Sequence, residues 1–151
     1  MPNISQAGLN LIESFEGCSL HAYWDSIGQC WTIGYGHTGP DVTEGETISE
    51  SQANLFLAAD VTAAQNVVDK AVEVVLNPNQ YAALVSFVYN VGADAFQNST
   101  LLRLVNQKDF LDAADEFNKW VYGVGADGQE VVIEGLVNRR RAEKALFLAP
   151  H

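Results

Sequence analysis

Residues 15–39, FEGCSLHAYWDSIGQCWTIGYGHTG, decide the fold. The segment SLHAYW alternates between two faces, WTIGY does the same, and DSIGQ between them is rich in turn-forming residues, which together predict a β-hairpin. Residues 4–15 before it have apolar side chains at helical spacing, so a short helix that begins after Ser5 is expected to end near Glu16, just before Gly17. The stretch therefore places Glu16 at the end of a helix and Asp25 at the turn of a hairpin.

The rest of the chain is predicted to be helical. Ser49 and Gln52 form a capping-box pattern, and apolar residues then recur at spacings of three and four, which predicts one helix of about 26 residues. The next helix is predicted to begin at Asn77 and Pro78 and to end at Gly92. A turn over 93–98, helical runs that begin at Ser99 and Asp109, a Gly-rich loop with a short strand-like piece over 123–135 and a last helix over 136–148 complete the prediction.

These elements predict an α+β fold that is mostly helical. The length of 151 residues fits a single domain. We expect a hairpin lobe over about 16–48, a connecting helix over about 49–76, and a helical lobe over about 77–151 that includes the N-terminal helix. Such an arrangement creates a cleft between the lobes, and clefts of this kind are where ligands bind.

The composition excludes several classes of function. The net charge of −11 argues against a nucleic-acid partner. The sequence has no run of apolar residues long enough to cross a membrane, and its N-terminal segment lacks the basic and apolar regions of a signal peptide. The histidines at 21, 37 and 151 lack the spacing of a zinc site, so no metal or cofactor is expected.

Cys18 and Cys30 are predicted to be free thiols. In the expected register, with the turn over 25–29, Cys30 faces Trp24 and Cys18 faces Gly36, which separates the cysteines by about 20 Å at ~3.3 Å per residue. A disulfide tolerates Cα separations of only about 4.4–6.8 Å.

Two carboxylates in different surroundings suggest acid–base chemistry. The negative end of a helix disfavours an ionised Glu16, whereas backbone N–H groups and water in a turn stabilise an ionised Asp25. One protonated and one ionised carboxyl group is the arrangement of a glycosidase, and Thr32 on the second strand could orient a water against Asp25. The alternative is that Glu16 is an exposed helix end and Asp25 a turn stabiliser. Glycines at 34 and 36 favour the first reading, because they weaken a strand and indicate the close approach of a substrate or another part of the backbone.

The same residues resemble a known family. The pattern of EG, seven residues and D, followed by WTIGYGHTG, is similar to the catalytic segment of the phage-type lysozymes, or glycoside hydrolase family 24. FVYNVGADAFQNSTLL resembles the helix–turn–helix segment that faces the cleft in that family, and FLDAADEFNKWVYG and GLVNRRRAEKALF resemble its closing motifs. Together these segments cover almost the whole chain in the same order. The resemblance implies a lysozyme-like fold.

The resemblance also implies an activity. Phage-type lysozymes are muramidases, which hydrolyse the β-1,4 bond between N-acetylmuramic acid and N-acetylglucosamine in peptidoglycan. By motif match Glu16 is the general acid, Asp25 the carboxylate that activates water, and Thr32 the residue that helps to hold that water. His37 matches a histidine that ties the hairpin lobe in place.

Further matches suggest substrate contacts at Thr38, Tyr89, Asn90 and Ser99. Core packing is the alternative for Tyr89, and the basic run 139–141 is either a solvated helix face or part of the site. The chain departs from the family in two respects. Asp25 and Thr32 are seven residues apart where six is commonest, and the strongly acidic balance contrasts with the many relatives that look basic.

The resemblance leaves several questions open. We expect a single displacement with inversion, which requires carboxyl groups about 6.5–9.5 Å apart, whereas a separation near 5 Å would favour a covalent intermediate. The alternatives to a muramidase are a non-catalytic peptidoglycan-binding relative, a hydrolase of a related glycan such as chitin, and a lytic transglycosylase. We expect a monomer whose partner is the glycan strand, without stable membrane insertion. It is expected to be made in the cytoplasm of a bacterial host and to act on the cell wall.

Overall fold

The computed structural model describes residues 3–26, 28–125 and 127–150. These residues form helices with two small antiparallel hairpins, which confirms the predicted α+β class. The elements are α1 (Gln6–Glu16), β1 (Ser19–Asp25), β2 (Cys30–Gly34), α2 (Glu50–Ala71), α3 (Pro78–Val91), α4 (Ala93–Gln97), α5 (Thr100–Asn106), α6 (Phe110–Glu116), a 3-10 turn (Phe117–Lys119), β3 (Tyr122–Val124), β4 (Glu130–Val132) and α7 (Glu134–Leu148).

Capping side chains set the helix ends that lead to the site. Ser5 begins α1 as predicted, because its hydroxyl accepts a hydrogen bond from the amide of Gly8. Gly17 ends the helix with φ of 63°, a conformation that favours glycine. The predicted capping box at the start of α2 is also confirmed, since Ser49 and Gln52 exchange side-chain and backbone hydrogen bonds.

The β1–β2 hairpin pairs one position away from the predicted register. Cys30 faces Asp25 and not Trp24, which faces Trp31. The difference arises because Asp25 is the last paired residue of β1 rather than the first residue of the turn, and Gln29 closes the turn with φ of 56°. Residue 27 of the predicted turn lies outside the described residues. Cys18 and Cys30 are free thiols, as predicted.

The long helix α2 is shorter than predicted, with 22 residues. It ends at Ala71 because Asn106 takes over its hydrogen bonds. The Asn106 amide donates to the carbonyl of Ala71 over 3.1 Å and accepts from the amide of Glu73 over 2.8 Å. The apolar residues that follow continue the helical spacing, but the chain there runs irregularly over the core.

α3 is the centre of the hydrophobic core. It begins at Asn77 and Pro78 and ends at Gly92, as predicted, and packs against α1, α2 and α7. Its residues from Tyr81 to Val88 are all buried, which confirms a helix that is apolar on every side.

Two parts of the helical region differ from the prediction. The expected turn over 93–98 contains the short helix α4. The expected Gly-rich loop folds into a second hairpin, β3–β4, of only three residues per strand. Its turn depends on Gly128, with φ of 81°. The predicted strand-like piece corresponds to β4, whereas the pairing with β3 was not predicted, because a three-residue strand leaves too little alternation in the sequence. Ala126 of this loop lies outside the described residues.

Candidate active site

Glu16 is the last residue of α1 and is held from the opposite end of the chain. One oxygen of its carboxylate, Oε2, is paired with the guanidinium group of Arg139 on α7. Its side chain is only 16% exposed. The charge-assisted contact therefore fixes the direction of a carboxylate that water reaches from one side.

Gly36 accommodates the other oxygen of Glu16. A Cβ atom at position 36 would lie 2.3 Å from Oε1, far inside van der Waals contact, and Gly36 has φ of 79°. The close approach expected at position 36 is thus the approach of Glu16 itself. Gly34, with φ of 65°, meets α2 instead, where a Cβ would lie 3.7 Å from Ala53.

Asp25 and Thr32 lie on the same face of the first hairpin. Thr32 pairs with Tyr23 and Cys30 pairs with Asp25, and side chains of paired residues, and of residues two positions along, share a face. Thr32 is buried, and its hydroxyl lies 3.9 Å from the sulfur of Cys30. Cys30 therefore stands beside Thr32 on the face that also carries Asp25. Sequence analysis did not include Cys30 in the site, because only the observed register reveals its position.

Besides burial, the charges of Asp25 and Glu16 both raise the pKa of the Tyr23 side chain. Burial raises the pKa of Tyr23, and Asp25, Glu16 and Cys30 raise it further, in that order. The hairpin face with Asp25 therefore lies within electrostatic reach of Glu16. This brings together residues that are nine positions apart in sequence, at the end of a helix and at the end of a strand.

A cleft of about 690 Å³ opens between the first hairpin and the helical region. Asp25 and Gly28 line it on the hairpin side, and a Cβ at Gly28 would lie 2.9 Å from a carboxylate oxygen of Asp25. Two of the four predicted substrate-binding residues, Asn90 and Ser99, line its other side. The second hairpin closes one end with Tyr122 and Glu130. The remaining lining residues are Val91, Asn98, Thr100, Glu116, Lys119, Trp120 and Leu136.

The other two predicted contacts, Thr38 and Tyr89, line a smaller cavity of about 240 Å³. Gly36 lines the same cavity, and since Gly36 contacts Glu16, the cavity adjoins the carboxylate. The four residues therefore divide between two cavities.

The hydroxyl groups of Tyr89 and Ser99 already have protein partners. Tyr89 donates to the carbonyl of Tyr35, which joins α3 to the segment after β2, and burial raises the pKa of this phenol. Ser99 accepts from the amide of Leu102 over 3.0 Å and donates to the carbonyl of Phe96 over 2.7 Å, as the cap of α5. All three partners are backbone groups of the protein, so these two hydroxyls stabilise the fold.

Arg139, Arg140 and Glu143 form a buried ionic group behind Glu16 that was not predicted from the sequence. Glu143, with 0% exposure, accepts hydrogen bonds at Oε2 from Arg139 over 3.2 Å and from Arg140 over 3.4 Å. Its other oxygen, Oε1, lies 2.8 Å from Nε of Arg140. Burial raises the pKa of Glu143 against the opposing effect of both arginines. Charges at spacings of three and four on the last helix are the signal that indicates such pairs. The run 139–141 is therefore not a solvated face, because Arg139 and Arg140 point into the protein.

The described residues contain no cluster of three His, Cys, Asp or Glu side chains that could hold a metal ion. Within the same residues, none of the helices combines the length and apolar character that crossing a membrane requires.

Comparison with known proteins assigns the chain to a family. The phage lysozyme family matches residues 13–143, which include every element from the second half of α1 to the middle of α7. The chain belongs to the phage lysozyme family.

Individual relatives support this assignment. The endolysin of Bacillus phage B103 is 47% identical over 147 residues, covering 97% of this chain and 54% of the relative. The endolysin of Salmonella phage P22 is 40% identical over 153 residues, covering 99% of this chain and 100% of the relative. The solved muramidase domain of SpmX from Asticaccaulis excentricus superimposes with a TM-score of 0.88 at 38% identity, covering 99% of this chain and 100% of that domain. The chain thus spans about half the length of the Bacillus phage relative and the full length of the other two.

Proposed function

We propose that this protein is a peptidoglycan hydrolase of the muramidase type, which cleaves the β-1,4 bond between N-acetylmuramic acid and N-acetylglucosamine. Its family membership and its relatives, named as endolysins and as a muramidase domain, support this proposal. Lysis of the bacterial cell wall is the expected consequence.

The observation that carries the proposal is the arrangement around Glu16. Its carboxylate pairs with Arg139 and lies against Gly36, and Asp25 lines a cleft large enough for sugar units. Two carboxylates in different environments are what glycoside hydrolysis uses. Asp25 lines the larger cleft, and Glu16 adjoins the smaller cavity through its contact with Gly36.

The proposed mechanism is a single displacement. Glu16 in its acid form donates its proton to the glycosidic oxygen as the bond to the anomeric carbon breaks. Asp25 accepts a proton from a water that attacks the same carbon from the opposite face, and Thr32 helps to hold that water. The anomeric configuration inverts, and Asp25 then returns its proton to solvent while Glu16 is reprotonated.

The cleft residues provide the binding part of the proposal. Asn90 presents a polar side chain to the glycan, and Thr38, Tyr89 and Ser99 shape the two cavities in which the sugars lie. The protein acts as a monomer, which size-exclusion chromatography with light scattering tests. It is made in the bacterial cytoplasm and acts on the cell wall.

Glu16→Gln tests the proposal directly. The substitution keeps the size of the side chain and removes the proton that the mechanism transfers. We expect wild-type protein to release reducing ends from purified peptidoglycan, and Glu16→Gln to reduce kcat by at least about a hundredfold, as loss of a general acid does. Circular dichroism and Tm establish that the variant is folded.

Glu13→Gln is the matched control, because Glu13 lies one turn earlier on α1 and is not the carboxylate that pairs with Arg139 and lies against Gly36. It should keep wild-type activity. Mass spectrometry of the products separates the alternatives: reducing muramic acid supports a muramidase, and an anhydro-muramyl end indicates a lytic transglycosylase. Full activity of folded Glu16→Gln would refute the proposed acid, and a wild-type protein that binds but does not cleave would indicate a binding protein.

A further inference from the structure

Asn90 is a cleft residue whose side chain is hydrogen-bonded to a buried arginine. It lies near the end of α3 and lines the cleft of about 690 Å³. Its side-chain oxygen, Oδ1, accepts a hydrogen bond from the guanidinium group of Arg140 over 2.7 Å. Sequence analysis predicted Asn90 as a contact but not the arginine behind it.

Arg140 is itself held in place from several sides. Its side chain has 0% exposure, its guanidinium group lies 5.0 Å from the ring centre of Phe87, and its Nε lies 2.8 Å from Glu143. Burial lowers the pKa of Arg140 to about 10, with Glu143 acting in the opposite direction, so the group remains charged near neutral pH. A fixed cation therefore stands behind Asn90.

This arrangement determines which end of the Asn90 amide faces the cleft. A guanidinium group can only donate hydrogen bonds, so the atom of Asn90 that faces Arg140 must be the oxygen. The amide is planar, and its NH₂ group lies on the other side of the carbon from Arg140. Asn90 therefore presents its NH₂ group to the cleft as a donor. Its carbonyl oxygen is already hydrogen-bonded to the charged Arg140.

We propose that Asn90, oriented by Arg140, is a specificity-determining residue that donates a hydrogen bond to the acetamido carbonyl of an N-acetylated sugar. The inference rests on the proposed function, because it takes the glycan strand as the ligand. An acetamido group offers the cleft a carbonyl acceptor, whereas a de-N-acetylated sugar offers an ammonium group that cannot accept. The site is therefore selective for N-acetylated glycan, and Arg140 and Glu143 act as positioning residues through Asn90.

Asn90→Asp tests the polarity of this contact. Aspartate is isosteric with asparagine and still accepts from Arg140, but it turns an oxygen to the cleft where wild type has NH₂. We compare kcat/KM on partly de-N-acetylated peptidoglycan and on the same material re-acetylated with acetic anhydride. Asn90→Asp should lose about tenfold on the re-acetylated substrate, mainly in KM, and change less than about twofold on the de-N-acetylated one.

Asn98→Asp is the control for the added charge. Asn98 lines the same cleft, but its NH₂ group donates to the carbonyl of Asp94 over 2.9 Å. It should lose less of the preference for acetylated glycan than Asn90→Asp does. An equal effect of the two variants, or an equal loss by Asn90→Asp on both substrates, would overturn the inference while wild-type activity leaves the proposed function intact. Absence of cleavage by wild type would overturn both.

Arg140→Lys tests the positioning role. Lysine keeps a positive charge beside Glu143 but lacks the planar group that fixes the amide. The preference for acetylated glycan should fall severalfold in Arg140→Lys, and the substitution should have no further effect on preference in the Asn90→Asp background. A purely structural role would lower Tm without changing the preference, and additive losses of preference would also contradict the inference.

Discussion

The carboxylate of Glu16 lies so close to Gly36 that position 36 has no room for a side chain. Gly36→Ala would place a methyl group 2.3 Å from Oε1 of Glu16, so the carboxylate must move away. The alanine also has to adopt φ of 79°, which costs about 1–2 kcal/mol. We therefore expect Gly36→Ala to lower kcat by about a hundredfold, because displacement of a catalytic group by 1 Å can cost this much. Turnover of purified peptidoglycan measures the effect.

Gly45→Ala separates the two causes. Gly45 has nearly the same backbone conformation, with φ of 82°, but nothing lies within 4 Å of the added Cβ. Both variants should therefore lose similar stability in urea denaturation, and only Gly36→Ala should lose activity beyond its unfolded fraction. Equal activity of the two variants would mean that the position of Glu16 is not what Gly36 protects.

Single residues of the site could be predicted only where local sequence determines them. Glu16 stands at the end of its helix, as its neighbours Phe15 and Gly17 predicted, whereas Asp25 was predicted in the turn and is the last paired residue of its strand. Arg139 could not be connected to Glu16, because the two lie 123 residues apart and only the packing of α7 brings them together. The same reason explains why the hydrogen bond from Tyr89 to the carbonyl of Tyr35 could not be predicted, because it joins residues 54 positions apart.

His37 fastens the segment after the first hairpin to α2. Its Nδ1 lies 2.7 Å from Asp60 on α2, its Nε2 lies 3.0 Å from Asp41, and its ring stacks on Phe56 with 4.2 Å between ring centres. Burial acts to lower the pKa of His37, but hydrogen bonds with Asp41 and Asp60 outweigh it and raise the pKa above 6.5. A hydrogen bond from His37 lowers the pKa of Asp41 below 3.8, against the effect of burial.

These shifts predict how the stability contributed by His37 depends on pH. Because its pKa is raised in the folded state, this contribution is complete below pH 6.5 and is lost as the pH rises through the folded value. The stability contributed by Asp41 is complete above pH 3.8 and is lost as the pH falls through the lowered pKa of Asp41 in the folded state. The difference in free energy of unfolding between wild type and His37→Gln should therefore be largest between these limits and shrink in alkaline buffer.

Urea denaturation of both proteins across this pH range provides the measurement. His21→Gln is a suitable control, because His21 is exposed and its backbone, which the substitution keeps, pairs with Thr47 and accepts from the hydroxyl of Ser19. A wild-type advantage over His37→Gln that stays constant from pH 5 to pH 10 would show that stacking on Phe56, and not the charge of His37, ties the segment to α2.

Element boundaries were predictable where a capping side chain lies next to them in sequence. Ser5, Ser49 and Asn77 were identified for this reason, and each begins its helix. The end of α2 was missed because its cap, Asn106, comes from α5, about thirty residues later along the chain. The apolar periodicity of a segment carries no information about a capping residue that only the tertiary fold brings to the helix end.

The whole molecule carries a net charge of −11, in which its eight Lys and Arg residues are already counted. Four of its eight Lys and Arg residues form ion pairs with carboxylates among the described residues, namely Lys119, Arg139, Arg140 and Lys144. The long-range field is therefore negative. Peptidoglycan stem peptides carry carboxylates, so this field repels the substrate of the proposed function instead of attracting it.

This repulsion predicts an unusual response to salt. The Debye length falls from about 30 Å at 0.01 M to about 8 Å at 0.15 M ionic strength, which screens charges outside the cleft. The initial rate on dilute purified peptidoglycan should therefore rise severalfold over this range, whereas a basic lysozyme would slow down. The increase should appear in kcat/KM, because steering affects encounter more than the chemical step.

Glu44→Lys with Glu73→Lys provides the matched variant. Both residues are exposed and line neither site cavity. Each substitution replaces a negative with a positive charge, which raises the net charge by two units, so the two together change it from −11 to −7. This double variant should be faster than wild type at low salt and less sensitive to added salt, with equal rates at high ionic strength. If both proteins instead slow down as salt is added, attraction by a local group such as Lys119 at the cleft outweighs the overall charge. In that case the field at the cleft, and not the net charge, controls encounter with the cell wall.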